Sequence, residues 1–265
     1  MRRPLLLAVG VTAALSAVFW LLPGIDRAVA RLFYVPGQGF PAAGIALLRD
    51  FRGFASNVSL ALPLLLVLSL GLKLAWPSKP SLCPPRPALF MLALFLGGPV
   101  VLVNGLLKPF WGRPRPVNVA EFGGPWPFQE AWVIGAQGLA NHSFASGEAA
   151  ATACLLPLVL FLPRPWRWQV GALLAGFVAL VGLNRMAFGA HFLSDVVISI
   201  ALMLVLAAGL HHLFFVRGRD TLSDAALEAR LTALGGRMAA GRAALRRRLA
   251  AVRAAISGLF GTPAR

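Results

Sequence analysis

The sequence predicts an all-α integral membrane protein with six transmembrane helices, both termini in the cytoplasm and a basic amphipathic C-terminal tail. Composition is the first observation behind this reading: 58% of the 265 residues are hydrophobic and only 13% are charged, outside the range of soluble domains. The second is a set of six apolar runs, at about 4–22, 55–76, 88–107, 146–162, 168–187 and 193–215, close to the ~20 residues a bilayer requires. The third is the distribution of basic residues. With the N-terminus inside, 17 of the 25 Lys and Arg fall on the cytoplasmic side, and the C-terminus joins them there. Anionic lipid head groups thus account for the net charge of +16, and nucleic acid is set aside as a partner.

The first run, MRRPLLLAVGVTAALSAVFWLLPG, has the basic start of a signal peptide, yet its apolar stretch exceeds a typical h-region and reads as an uncleaved span. Residues 23–54 are too polar to cross, and predict short interfacial helices covering the entrance to a site. After the second run, PSKPSLCPPRP at 77–87 is an irregular connection. The fourth run, ASGEAAATACLLPLVLFL, opens on small residues, so its outer end belongs beside a polar cavity rather than lipid. From Arg217 onward, ten Arg accompany Leu227, Leu231, Leu234 and Met238, then Leu245, Leu249, Val252, Ile256 and Leu259, at helical spacing. Gly235, Gly236 and Gly241 interrupt the pattern, predicting two basic amphipathic helices on anionic inner-leaflet lipids. The chain divides into a membrane domain at 1–216 and a tail at 217–265. Cys83 and Cys154 have neither disulfide nor metal spacing.

Ionisable residues at the ends of spans are costly and mark function. Three clusters stand out, and parity puts them together on the outer face. In KPFWGRPRP, prolines stiffen a backbone carrying Lys108, Arg113 and Arg115, which suits gripping a multiply charged oxyanion; cations that merely anchor a helix are favoured on the other side. In NHSFASGEAA, Ser146 and Gly147 open a helix whose free N–H groups favour an anion, and Glu148 puts a carboxylate in its first turn. In NRMAFGAHFLSD, Arg185 ends the fifth run, and His191 and Asp195 stand four apart on one face of the sixth, as a nucleophile or base with its partner would.

These spacings strongly resemble the tripartite signature of the type 2 phosphatidic acid phosphatase (PAP2) superfamily. Six residues separate Lys108 from Arg115-Pro116, Ser146-Gly147 follows, and Arg185 precedes His191 by five intervening residues and Asp195 by three more. The resemblance implies that His191 attacks phosphorus to form a phosphohistidine and that Asp195 orients it and stabilises its charge. It further implies that Lys108, Arg115, Arg185, Ser146 and the Gly147 amide hold the phosphate, with no metal and no other cofactor. The chain departs from the family where Ala145 replaces Pro, Asn184 replaces Ser and, above all, Glu148 replaces the histidine that protonates the leaving oxygen. Glu148 is a replacement acid, or is dispensed with by a good leaving group or by His142, or marks a protein that only binds. Arg113 does not fit the signature spacing and is expected at a head group or the membrane surface.

The implied substrate is a phosphorylated membrane lipid, in a bacterial inner membrane with the site facing the periplasm: lipid A, undecaprenyl diphosphate or phosphatidylglycerol phosphate, with lipid A favoured. A lipid phosphotransferase and a non-catalytic lipid-phosphate binder or transporter are the competing readings. The same signature occurs in vanadium-dependent haloperoxidases, which are not six-span membrane proteins.

Overall fold

The computed structural model describes residues 3–135 and 143–260, the side chains of 254–260 excepted. The described residues form nine α-helices: α1 (Arg3–Leu21), α2 (Gly24–Arg31), α3 (Ala46–Ala75), α4 (Pro85–Phe95), α5 (Lys108–Trp111), α6 (Gly147–Ala153), α7 (Arg167–Ala187), α8 (Leu193–His211) and α9 (Asp224–Phe260). Between α4 and α5 the helix continues in wide π-type turns over Leu96–Leu107. Pro99 lies within them; a proline has no N–H for the regular ladder, and a widened turn is one way a helix passes such a residue.

Among the described residues, five helical stretches are long and apolar enough to cross a membrane: Arg3–Leu21, Ala46–Ala75, Pro85–Asn118, Arg164–Ala187 and Leu193–Arg217. Their surfaces are inverted relative to a soluble bundle. In α1 only Thr12 and Phe19 are buried, while Leu6, Leu7 and Leu21 are exposed, as lipid-facing residues are. The fourth predicted run behaves differently. It yields a shorter apolar stretch, Gly147–Phe161, in which α6 stops at Ala153 and the tighter 3-10 turns of Leu156–Phe161 begin around Pro157. Its small residues pack inward: Ala149, Ala150, Thr152 and Ala153 are all buried.

Two expectations need correction. The 23–54 region is not wholly interfacial, because its last residues, from Ala46, are the first turns of α3. The tail is a single 37-residue helix rather than two, running unbroken through Gly235, Gly236 and Gly241. Gly235 is small for a contact reason: a Cβ there would stand 2.8 Å from the Leu74 carbonyl oxygen and 3.0 Å from Pro77. The docking is reinforced by Lys73, buried at the end of α3, which pairs with Glu228 at 2.7 Å, and by Asp224, which accepts from the Arg86 backbone N–H.

The tail thus packs at one end of the bundle, where α3 ends and α4 begins. The opposite end carries the start of α3 and α6, the ends of α1 and α7, the start of α8, and α5. Every sequence-predicted site residue that is described lies there.

Candidate active site

Three backbone hydrogen bonds draw the three motifs together. Ser143 N–H donates to the Arg113 carbonyl (3.0 Å), Ser146 N–H to the Asp195 carbonyl (3.3 Å), and Val117 N–H to the Gly189 carbonyl (3.0 Å). The turn carrying His191 is held from outside by Phe40. Gly189 adopts φ +61°, and a Cβ there would lie 2.4 Å from the Phe40 ring, so both conformation and space require glycine. Phe40 itself belongs to an aromatic cap with Tyr34 and Phe122, ring centroids 5.3–5.7 Å apart.

His191 is buried, and its Nδ1 lies 2.7 Å from the Ser143 carbonyl oxygen. A carbonyl only accepts, so Nδ1 carries the hydrogen and Nε2 keeps its lone pair. Burial pushes the imidazole below the ordinary histidine pKa of 6.5, Asp195 opposes this, and the charges of Arg185 and Lys108 add to it. The ring is therefore neutral at pH 7, the form in which Nε2 offers a lone pair.

Asp195 stands 3.7 Å from Nδ1, too far for a hydrogen bond but close enough to favour a positive ring. The hydrogen bond at Nδ1 is made by the Ser143 carbonyl, and Asp195 reaches the ring through Ser143. Asp195 acts on Ser143, whose hydroxyl donates to Oδ2 at 2.6 Å, and on the turn, through the Phe192 N–H at 2.8 Å.

Arg113 was expected at a head group or the membrane surface. It is instead fully buried, donating to Asp195 Oδ1 at 2.5 Å, Asp26 Oδ2 at 2.8 Å, the Ser194 hydroxyl at 2.8 Å and the Gln129 carbonyl at 2.9 Å. Gly112, in a left-handed conformation at φ 60°, ends α5 and turns Arg113 inward while Arg115 stays exposed.

The remaining cations surround the same space. Lys108 and Gly147 meet closely, since a Cβ on Gly147 would lie 3.2 Å from Nζ and 3.1 Å from Asn104 Oδ1. Arg185 is buried; its Nη1 has no hydrogen-bond acceptor among the described residues, and its Nε makes only an ion-pair contact with Glu148 at 3.5 Å. Arg115 is near enough for its charge to act on both Lys108 and Arg185. Ser146 caps α6 by accepting from the Ala149 N–H at 3.4 Å, which aims the helix start at this space. Among the described residues no three His, Cys, Asp or Glu side chains cluster as a metal site requires.

Glu148 is held as an ion-paired acceptor. Arg52, on the first turns of α3, donates Nε and Nη2 to it at 3.0 and 2.8 Å, and Arg185 Nε lies 3.5 Å away. Arg52 escaped sequence reasoning because its partner is 96 residues distant. His142, the other expected accessory group, lies outside the described residues. A cavity of about 680 Å³ opens from Lys108, Gly147 and Glu148 and runs between α3 and α4 along Leu64, Val67, Leu96 and Val100. A charged end and an apolar length make it the shape of a lipid.

The family model described as PAP2 superfamily matches residues 86–219. A lipid A 4'-phosphatase of Rhizobium leguminosarum is 37% identical over 214 residues, 74% of this chain and 90% of the relative. A lipid A 4'-phosphatase of Francisella tularensis subsp. novicida is 40% identical over 116 residues, 42% of this chain and 51% of the relative. Among solved structures, the transmembrane PAP2 type phosphatidylglycerolphosphate phosphatase from Bacillus subtilis superposes with a TM-score of 0.52 at 21% identity, covering 80% of this chain and 96% of that one. At that identity the likeness concerns the fold.

Proposed function

Because this chain belongs to the PAP2 superfamily and is a membrane phosphatase acting on lipid phosphates, we propose that its substrate is lipid A and that it removes the 4'-phosphate. The observation that carries the chemistry is the neutral His191, with Nδ1–H bound to the Ser143 carbonyl and Nε2 left to attack among Lys108, Arg115 and Arg185. In the first step the Nε2 lone pair forms a bond to phosphorus, and the bond from phosphorus to the sugar oxygen breaks, its electron pair staying on that oxygen, which takes a proton from solvent water. In the second, water attacks the phosphohistidine, breaking P–N and releasing inorganic phosphate. Lys108, Arg115, Arg185 and the helix start at Ser146 and Gly147 take the charge that spreads over the phosphoryl oxygens. Asp195 stabilises the ring while it is positive.

Glu148 takes a different part from the acid that the sequence suggested. Two arginines engage it as a carboxylate, so it acts as the counter-charge that sets Arg52 and Arg185 before the phosphate arrives. Glu148→Gln is then expected to raise KM more than it lowers kcat. A collapse of kcat together with loss of the alkaline limb of the rate profile would restore the acid role.

The apolar cavity takes acyl chains from within the bilayer. The fold is read as six membrane crossings, with Gly147–Phe161 as a short fourth, both termini and the tail on the cytoplasmic face, and the site on the periplasmic face of a bacterial inner membrane. Residues 1–216 form the catalytic unit, and 217–265 carry an arginine-flanked stripe suited to anionic lipid. The test is phosphate release in detergent with EDTA from lipid A, undecaprenyl diphosphate and phosphatidylglycerol phosphate, beside His191→Ala. Release from lipid A that vanishes with His191→Ala supports the reading. Release from another lipid alone reassigns the substrate, and transfer of the phosphate to a second lipid would make the protein a phosphotransferase.

A further inference from the structure

Asp26 lies on α2, sixty residues before the region matched by the family model. Its side chain is 1% exposed, and its partners are Arg113 and Ser194, both fully buried. Asp26 Oδ1 accepts from the Ser194 N–H at 2.8 Å, and Oδ2 accepts from the Ser194 hydroxyl at 2.5 Å and from Arg113 Nη2 at 2.8 Å. Arg113 Nη1 continues to Asp195 Oδ1. The rings of Phe192 and Phe128 cover the guanidinium, with centroids 4.6 and 5.8 Å from its carbon.

We infer that Asp26 and Arg113 are positioning residues for the reaction: they fix Asp195, and through Asp195 and Ser143 they fix the His191 ring for in-line attack. The inference rests on His191 being the nucleophile. Burying two carboxylates and a guanidinium is a poor way to gain stability, since apolar residues of similar volume often do as well. What the ladder supplies is direction. Both oxygens of Asp195 are engaged, Oδ1 by Arg113 and Oδ2 by Ser143 and the Phe192 N–H, so its carboxylate cannot rotate. Ser143, so held, presents its carbonyl to Nδ1.

The ladder also sets charge. Arg113 is shared by two carboxylates, so Asp195 is not fully neutralised and retains charge for the ring 3.7 Å away. Without Asp26, the guanidinium would belong to Asp195 alone. The groups facing His191 are then Asp195 with Arg113 behind it, and Arg185, Lys108 and Glu148 across the phosphate space.

The experiment uses the full-length protein in detergent and compares Asp26→Asn, Arg113→Met, Arg113→Lys and the double variant Asp26→Asn/Arg113→Met. Asp26→Asn is expected to lower kcat by about 10- to 100-fold, as loss of an orienting outer partner does, with KM for the lipid and inhibition by inorganic phosphate unchanged. The acid limb of kcat should move to lower pH in Asp26→Asn, which removes a negative charge behind His191, and to higher pH in Arg113→Met, which removes a positive one. Arg113→Lys keeps the charge but not the two-way fork, so kcat should fall with the limb little moved. Where Arg113→Met fails to fold, the limb of Asp26→Asn and the double variant's intermediate position still decide. Equal kcat per folded molecule, or lower kcat with the limb fixed in both Asp26→Asn and Arg113→Met, would overturn the inference. Wild-type protein without turnover, or an active His191→Ala, would instead sink the nucleophile assignment on which it stands.

Discussion

One hydrogen bond decides which nitrogen of His191 keeps its lone pair, and its acceptor, the Ser143 carbonyl, is 48 residues away in the chain. Such a bond is invisible to spacing, and so were Arg52 and Asp26, whose partners are 96 and 87 residues off. What spacing did single out were Lys108, Arg115, Arg185 and His191, candidates that the fold brings to one end of the bundle, because their separations within each motif are set by short turns. Arg113 was misplaced for the same reason: one residue of a basic cluster turns inward at Gly112, and composition does not show direction. Two outcomes follow at this scale. Since burial lowers the His191 pKa, kcat/KM should hold constant as pH falls through 6.5 and decline only below it, in a profile measured with lipid substrate. The same group makes the folded state lose stability as pH drops below the ordinary value, because the unfolded chain takes up the proton first. Gly147→Ala would push against Lys108 Nζ and Asn104, and a displacement of that size should reduce kcat/KM by about 10- to 100-fold in the same assay.

Elements were legible where lipid faces them and obscure where other helices do. Hydropathy located the cores of α1, α3, α7 and α8, since most of their exposed residues are apolar. It missed the first turns of α3, where Arg49, Asp50 and Arg52 dilute the apolar signal although the helix itself is unbroken. It also overestimated the glycines of α9: each costs about 1 kcal/mol in a helix, and packing against the end of α3 offsets this at Gly235. The turn between α7 and α8 gives the clearest element-scale prediction. Gly189→Ala forces a Cβ into the Phe40 ring from a left-handed backbone, and should destabilise the protein by about 1–3 kcal/mol, read as a lowered Tm. Phe40→Ala in the same background should restore part of the activity while leaving the backbone strain, a separation that enzyme assays and melting curves measure together.

Across the whole molecule, the candidate site gathers at one end and the tail packs at the other. Deletion of 218–265 should leave kcat in detergent unchanged while lowering stability, by about 1–3 kcal/mol for the charge-assisted partner taken from buried Lys73. The Lys73 ammonium and the Ser81 hydroxyl hold the Glu228 carboxyl below its ordinary value of 4.5. Its contribution is therefore complete above that value and disappears as pH falls through the lowered one, which a fluorophore pair on α9 and the 77–84 linker would report as detachment. Charge alone led to the expectation of a separate basic tail, whereas its attachment was not readable, because it rests on contacts between distant residues: Lys73 and Ser81 with Glu228, the Arg86 N–H with Asp224, and Gly235 against Leu74. The three backbone bonds that join Arg113 to Ser143, Asp195 to Ser146 and Gly189 to Val117 have a consequence in time as well as in space. The amides of Ser143, Ser146 and Val117 are expected to open as one unit, so their deuterium protection factors should match one another and exceed those along the exposed length of α9.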